Sequence, residues 1–240
     1  MKNIFKTLLF AALFIAAGNN AFAQFGVNVG YMNSTTWGKA NGSKSSEDMT
    51  TNGFAVGIDH NIKLIGNFLS IQPGIYYQHL LKSEDIAEFP GYAAHNTFTE
   101  NYIGIPVHVK VGFNILPKEM LRIYVFAGPT FEIGLMANDK ISISGNDRSG
   151  EVSYNYYNGK LKSTSDVLSS LIENYYPSDS QGQYKRFDVM LGGGVGIQAV
   201  HFLDIRAGYD YGVVNRLKGT YAENMTANRG QFYVSVGIRL

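Results

Sequence analysis

The stretch Gly230-Gln-Phe-Tyr-Val-Ser-Val-Gly-Ile-Arg-Leu240 decides the fold. Phe232, Val234, Val236, Ile238 and Leu240 take every second position, and Tyr233, Ser235, Gly237 and Arg239 fill the gaps. Successive side chains of a strand point to opposite faces, so this strand has one apolar face and one small or polar face that carries an arginine. Left open to water, such an edge would aggregate. In a sheet closed on itself within a bilayer, the same alternation is what lipid requires.

Seven more segments alternate in the same way. They are centred on Phe25–Met32, Gly53–Lys63, Phe68–Lys82, Thr97–Phe113, Met120–Met136, Gln183–Val200 and Leu203–Val214. Asp59, Lys110, Arg122, Glu132, Asp188, Asp204, Arg206, Asp210 and Arg239 all fall on the non-apolar parity. Each Arg or Lys turned to lipid near the midplane would cost about 2–4 kcal/mol. The charges therefore belong inside, and the small residues beside them suit the narrow interior of eight strands. Pro73 interrupts its strand and calls for a bulge. Long connections are expected near residues 33–52, 83–96, 137–182 and 215–229, and short ones near 64–67, 114–119 and 199–202. Long loops at one end and tight turns at the other are the rhythm of an outer-membrane barrel with both termini periplasmic. Phe25, Phe68, Phe113 and Phe202 would line the periplasmic interface, and Tyr31, Phe54, Tyr77, Tyr102 and Tyr211 the extracellular one.

The rest of the chain agrees. Lys2 and Lys6, an apolar run from Ile4 to Ala17, and Ala21-Phe22-Ala23 predict a signal peptide over residues 1–23, leaving a single domain over 24–240. Removing Lys2 and Lys6 leaves 18 basic against 19 acidic residues, which gives no reason to propose nucleic acid as a partner. The absence of cysteine excludes disulfides and thiol chemistry.

Four stretches resemble the PorT-like outer-membrane β-barrel domain family: Tyr102-Ile-Gly-Ile-Pro-Val-His-Val-Lys110, Val125-Phe-Ala-Gly-Pro-Thr-Phe131, Phe187-Asp-Val-Met-Leu-Gly-Gly-Gly-Val-Gly-Ile197 and Phe232–Leu240. The resemblance covers the chain from about Phe25 onward. It implies an integral outer-membrane barrel and brings no catalytic residues with it.

Five features of the sequence are candidate sites. The interior charges read as a network filling a small barrel rather than an ion path. His79 and His95 border one extracellular loop near Ser83, Glu84 and Asp85, yet no nucleophile elbow or metallohydrolase spacing supports them, so solvated loop histidines are expected. His60 and His201 belong near the periplasmic ends. Glu47-Asp48, Glu84-Asp85 and the acids from Asp139 to Asp147 lack calcium-loop spacing and read as solvated charge or lipopolysaccharide-bridging sites. Gly192-Gly-Gly-Val-Gly196 lacks the helix of a nucleotide site, so these glycines should permit curvature or close packing of interior side chains. Ser165 to Tyr176 has helical spacing and could cover the barrel mouth.

The expectation is an all-β, eight-stranded, antiparallel, up-and-down transmembrane β-barrel in the bacterial outer membrane. Its role would be non-enzymatic, structural or surface-interacting, with no catalytic, cofactor or metal residues. A narrow small-solute channel and a rim-located lipid or peptide hydrolase are the rival readings within the membrane. A soluble, lipocalin-like barrel would reverse the two faces. Expected partners are outer-membrane lipids and lipopolysaccharide, the barrel-assembly machinery and a further envelope protein.

Overall fold

The computed structural model describes residues 23–40, 43–44, 48–89, 92–116, 120–145, 149–164 and 182–240. The signal-peptide expectation, apart from Ala23, and the whole of the Ser165–Tyr176 helix expectation fall outside the described residues. The strands are β1 (Ala23–Ala40), β2 (Ser43–Lys44), β3 (Met49–Ile65), β4 (Leu69–Phe89), β5 (Tyr92–Leu116), β6 (Leu121–Gly145), β7 (Gly150–Asn155), β8 (Lys160–Ser163), β9 (Phe187–Ala199), β10 (Leu203–Gly212) and β11 (Met225–Arg239). One helical turn, α1 (Tyr221–Asn224), precedes β11.

Eight of these strands close a ring in the order β1-β3-β4-β5-β6-β9-β10-β11, and β11 returns to β1. Every ring pairing is antiparallel, and all but the β11–β1 seam join ring strands that follow one another along the chain. The seam runs from Gly26↔Arg239 to Ala40↔Met225 without a register shift. Closure leaves no open edge in the ring, so its backbone donors and acceptors are satisfied strand to strand. β2 adds to β1, and β7 and β8 extend the sheet from the upper part of β6.

The two faces separate as the alternation predicts. Val27, Val29, Ile58, Val125, Val195, Val236 and Ile238 are all exposed on the outer face. All nine charges assigned to the interior are buried. Phe25, Phe68, Phe113 and Phe202 are exposed at the end with the short turns, where the Phe68 and Phe113 rings meet edge to face at 5.4 Å. Tyr31, Phe54 and Tyr211 are exposed at the upper edge of the apolar band.

Several expectations need correction. The segments read as polar loops at 33–52 and 83–96 are largely strand, whereas 215–229 is a connection up to Asn224 and strand only from Met225 onward. β1, β3, β4, β5 and β11 continue upward as paired ladders with polar residues on both faces. Above the lipid no apolar face is needed, so the hydrophobic alternation stops while the hydrogen bonding does not. Within 137–182, β6 runs on to Gly145 and pairs with β7. Tyr102 does not belong to the outer girdle; it is buried inside, on the inward parity set by Gly104 and opposite to the outward-facing Ile103. Pro73 causes no bulge. Pro73↔Val107 and Tyr76↔Gly104 share one register, and the ladder is simply open between them. The turn after β9 is tight as expected, with Val200 and His201 at φ of 45° and 68°.

Gly194 and Gly196 of β9 face inward, and each sits where a Cβ would collide with an aromatic ring, Phe126 and Tyr124 respectively. The glycine run thus makes room for large interior side chains from the neighbouring β6.

Candidate functional site

The lumen is filled in tiers. At the short-turn end Arg239 donates to Asp204 through Nε at 2.8 Å and also pairs with Asp59. Asp59 accepts from Asn28 Nδ2 at 2.9 Å and Tyr76 OH at 2.6 Å, and Arg206 lies 3.1 Å away. Asp204 also accepts from Tyr124 OH, and Lys110 sits 3.9 Å from Asp204 and 3.8 Å over the Tyr124 ring. Of the interior acids, Arg239 engages Asp59 and Asp204.

In the middle tier Glu132 accepts from Gln78 Nε2 at 2.9 Å and Gln231 Nε2 at 3.2 Å, and pairs with Arg229. Glu132 and Arg229 are both 0 % exposed, so neither could sit there alone. Arg229 lies 4.0 Å over the Tyr102 ring. A cavity of about 60 Å³, room for a few waters, lies among Tyr76, Gln78, His108, Arg206, Asp210 and Gln231.

The upper tier hangs from the β10–β11 connection. Arg216 reaches down to Thr36 Oγ1 at 2.8 Å, pairs with Glu100, and donates to Tyr102 OH at 2.6 Å. Tyr184 stacks under the Arg216 guanidinium at 4.7 Å. Tyr157, on the β7–β8 turn, is covered by Arg186 at 4.6 Å. Burial pushes the Tyr157 hydroxyl up to about 12, and raises Tyr184 as well. Arg216, Arg229 and Glu100 escaped the sequence reading. Arg216 and Arg229 lay in a segment read as loop, and Glu100 at the upper end of β5, beyond the clear alternation. The parity of β11, carried back two residues from Gln231, would have found Arg229.

The histidines are placed as follows. His60 packs on Phe25 at 4.3 Å and His201 lies in the β9–β10 turn, as expected of both. His108 is buried beside Phe126. His79 and His95 are strand residues, not loop residues. His79 contacts Phe54 and lies 2.7 Å from Asn101 Oδ1. His95 is brought between two of the residues named with it: Nε2 lies 2.7 Å from Ser83 Oγ and Nδ1 lies 2.7 Å from Asp85 Oδ1. Glu84 instead pairs with Lys82 at 2.8 Å, and Asp48 with Lys44 at 2.9 Å. Glu47 and Asp147 fall outside the described residues. Among the described residues no three His, Asp or Glu side chains gather as a metal-ligand set.

On the outer face, above the lipid band, a groove is lined by Asn33, Trp37, Lys39, Lys44, Tyr209 and Phe232, among others. It combines aromatic and cationic groups at the height where a bilayer presents its headgroups.

No curated protein matches the sequence. Among solved structures, the outer membrane protein OprG from Pseudomonas aeruginosa is 6% identical, with 93% of this chain and 98% of that one covered and a TM-score of 0.43. Ail, the attachment invasion locus protein of Yersinia pestis, solved with the heparin analogue sucrose octasulfate, is 12% identical over 91% and 99% of the two chains, with a TM-score of 0.41. Neisserial surface protein A is 10% identical over 89% and 97%, with a TM-score of 0.36. Residues 17–217 match the family of outer membrane protein beta-barrel domains. With most of its length matched, and with charges inside a closed ring and hydrocarbon side chains outside it, this chain belongs to the outer membrane protein beta-barrel domain family.

Proposed function

We propose that this outer-membrane barrel is a plugged scaffold whose work is done at its outer surface and extracellular rim, as a structural or surface-interaction protein. The observation that carries this is the Glu132–Arg229–Tyr102 tier with Arg216–Glu100 above it, which places large, mutually paired side chains across the lumen. An eight-stranded barrel has an interior just wide enough for its side chains. The groove with Trp37, Lys39 and Lys44 suits the phosphates and sugars of lipopolysaccharide. The upward extensions of β4, β5 and β6 offer area for a protein partner of the envelope. The motifs from Tyr102 to Lys110 and from Phe187 to Ile197 support a PorT-like branch within the family.

Reconstitution in planar bilayers tests the plugged lumen. The expected result is no stable conductance step. Reproducible open-channel steps that disappear on heat denaturation of the protein would overturn the reading in favour of a small-solute channel.

A further inference from the structure

Ser83, Asp85 and His95 share the outer face of the β4–β5 hairpin. Asp85 stands directly opposite His95, and Ser83 is paired with Thr97, one diagonal step away. Cross-strand and diagonal neighbours on one face are within side-chain reach. The contacts come in a defined order: Ser83 Oγ to His95 Nε2 at 2.7 Å, then His95 Nδ1 to Asp85 Oδ1 at 2.7 Å. An ionised carboxylate can only accept, so Nδ1 carries the ring proton of the neutral imidazole and Nε2 is left to accept from the serine hydroxyl. That is the tautomer and the sequence of bonds that turns a serine into a nucleophile. The neighbouring charges Lys82 and Glu84 face the other side and pair with each other at 2.8 Å, so they do not compete for His95.

The height of the group also matters. On the same face of β4, Ile75 and Leu81 are exposed apolar residues, and His79 between them touches the girdle residue Phe54. Ser83 follows His79, the residue paired with Phe54, by four positions, about 14 Å along a tilted strand and roughly 10 Å in height. The headgroup layer between hydrocarbon and water is roughly 5–8 Å deep on each side. The serine hydroxyl therefore stands at the outer edge of the headgroup layer, above the hydrocarbon, and faces outward rather than into the lumen.

We propose that Ser83, His95 and Asp85 form an acyl-ester hydrolase centre on the outer wall of the barrel, with the fatty-acyl esters of outer-leaflet lipids as substrates. Ser83 Oγ bonds to the ester carbonyl carbon as its proton passes to His95 Nε2. The tetrahedral adduct collapses, the C–O bond to the lipid alcohol breaks, and that alcohol leaves with the proton from His95. Water then attacks the acyl-serine, His95 again takes and returns one proton, and free fatty acid departs with the serine hydroxyl restored. Asp85 holds the imidazole in the required tautomer throughout. This activity goes beyond the scaffold reading and needs only the outer-membrane location.

The test uses the full-length protein folded in detergent and in vesicles, with folding verified by its heat-dependent shift in gel mobility. A fluorophosphonate probe should label Ser83, identified by peptide mass spectrometry. Fatty acid released from phosphatidylethanolamine vesicles, and separately from vesicles containing lipopolysaccharide, should fall to background in Ser83→Ala and by about 10²-fold or more in His95→Ala. The two vesicle types identify which lipid supplies the ester. Folded protein with no label at Ser83, or with release unchanged in Ser83→Ala, overturns the proposal. Turnover confined to a soluble short-chain nitrophenyl ester overturns the assignment of lipid as substrate. If Ser83→Ala instead changes only the protease resistance of the hairpin, the three residues are a structural clasp and the centre is refuted. Conductance is independent of these outcomes, so failure here leaves the plugged-lumen test standing.

Discussion

Replacing Glu132 by leucine should test whether the lumen is held together by its charges. Glu132 is fully buried, pairs with the equally buried Arg229, and accepts from the amides of Gln78 and Gln231. Removing one partner of a buried ion pair costs about 3–5 kcal/mol, because the remaining charge stays desolvated. Gln231 retains a contact with Asp210 at 3.4 Å, whereas Gln78 loses its acceptor, so the upper half of that range is expected. With a urea slope of about 2 kcal/mol per molar, the unfolding midpoint should fall by roughly 2 M. Trp37 is the only tryptophan in the chain, and its indole lies 5.8 Å from the Tyr211 ring, so its fluorescence in vesicles reports loss of the barrel. The companion double variant, Glu132→Leu with Arg229→Leu, should recover most of the loss, since an apolar pair of similar volume often replaces a buried ion pair without penalty. A midpoint shift below about 0.5 M in Glu132→Leu, or a double variant no better than the single, would refute the reasoning.

Two further outcomes follow from the two faces of the sheet and from its crown. Val236→Arg places a cation on the lipid-facing parity of β11 and should cost about 2–4 kcal/mol in vesicle unfolding, whereas an equally stable variant would contradict the assigned orientation. Burial raises the Tyr157 hydroxyl to about 12 from its ordinary value near 10, so the folded state holds that proton more tightly than the unfolded one. Its contribution is complete below pH 10 and is lost as pH rises toward 12, by roughly 1.4 kcal/mol per unit. Tyr157→Phe should flatten that limb of the pH–stability curve, and an unchanged slope would remove Tyr157 as its source.

The membrane-spanning part of the ring could be read from the sequence because lipid enforces a rule on every outward residue. Val107 and Val109 alternate with His108 and Lys110 for one reason, and that reason is local to the strand. Above the lipid the rule lapses. Asn33, Thr35 and Ser83 give no hydrophobic signal, so strands that continue as ladders resemble loops. The interior was legible by parity alone and not by partner. Asp59 and Arg206 could both be turned inward, but their separation of 3.1 Å depends on shear and tilt, which no single strand encodes. The Ser83–His95–Asp85 cluster shows the same limit in a sharper form. Its members were visible as neighbours of one loop, while their convergence required the β4–β5 register.

The cross-lumen bonds also bear on the timing of assembly. Arg239 meets Asp59 across 180 positions of chain, Arg216 meets Thr36 across another 180, and Arg206 meets Tyr76 across 130. A half-built sheet could satisfy its neighbouring strands but none of these distant pairings. Any intermediate would then carry bare guanidinium and carboxylate groups on one face and hydrocarbon on the other. Such a species is favourable neither in lipid nor in water, so these long-range polar braces can be completed only as the ring closes.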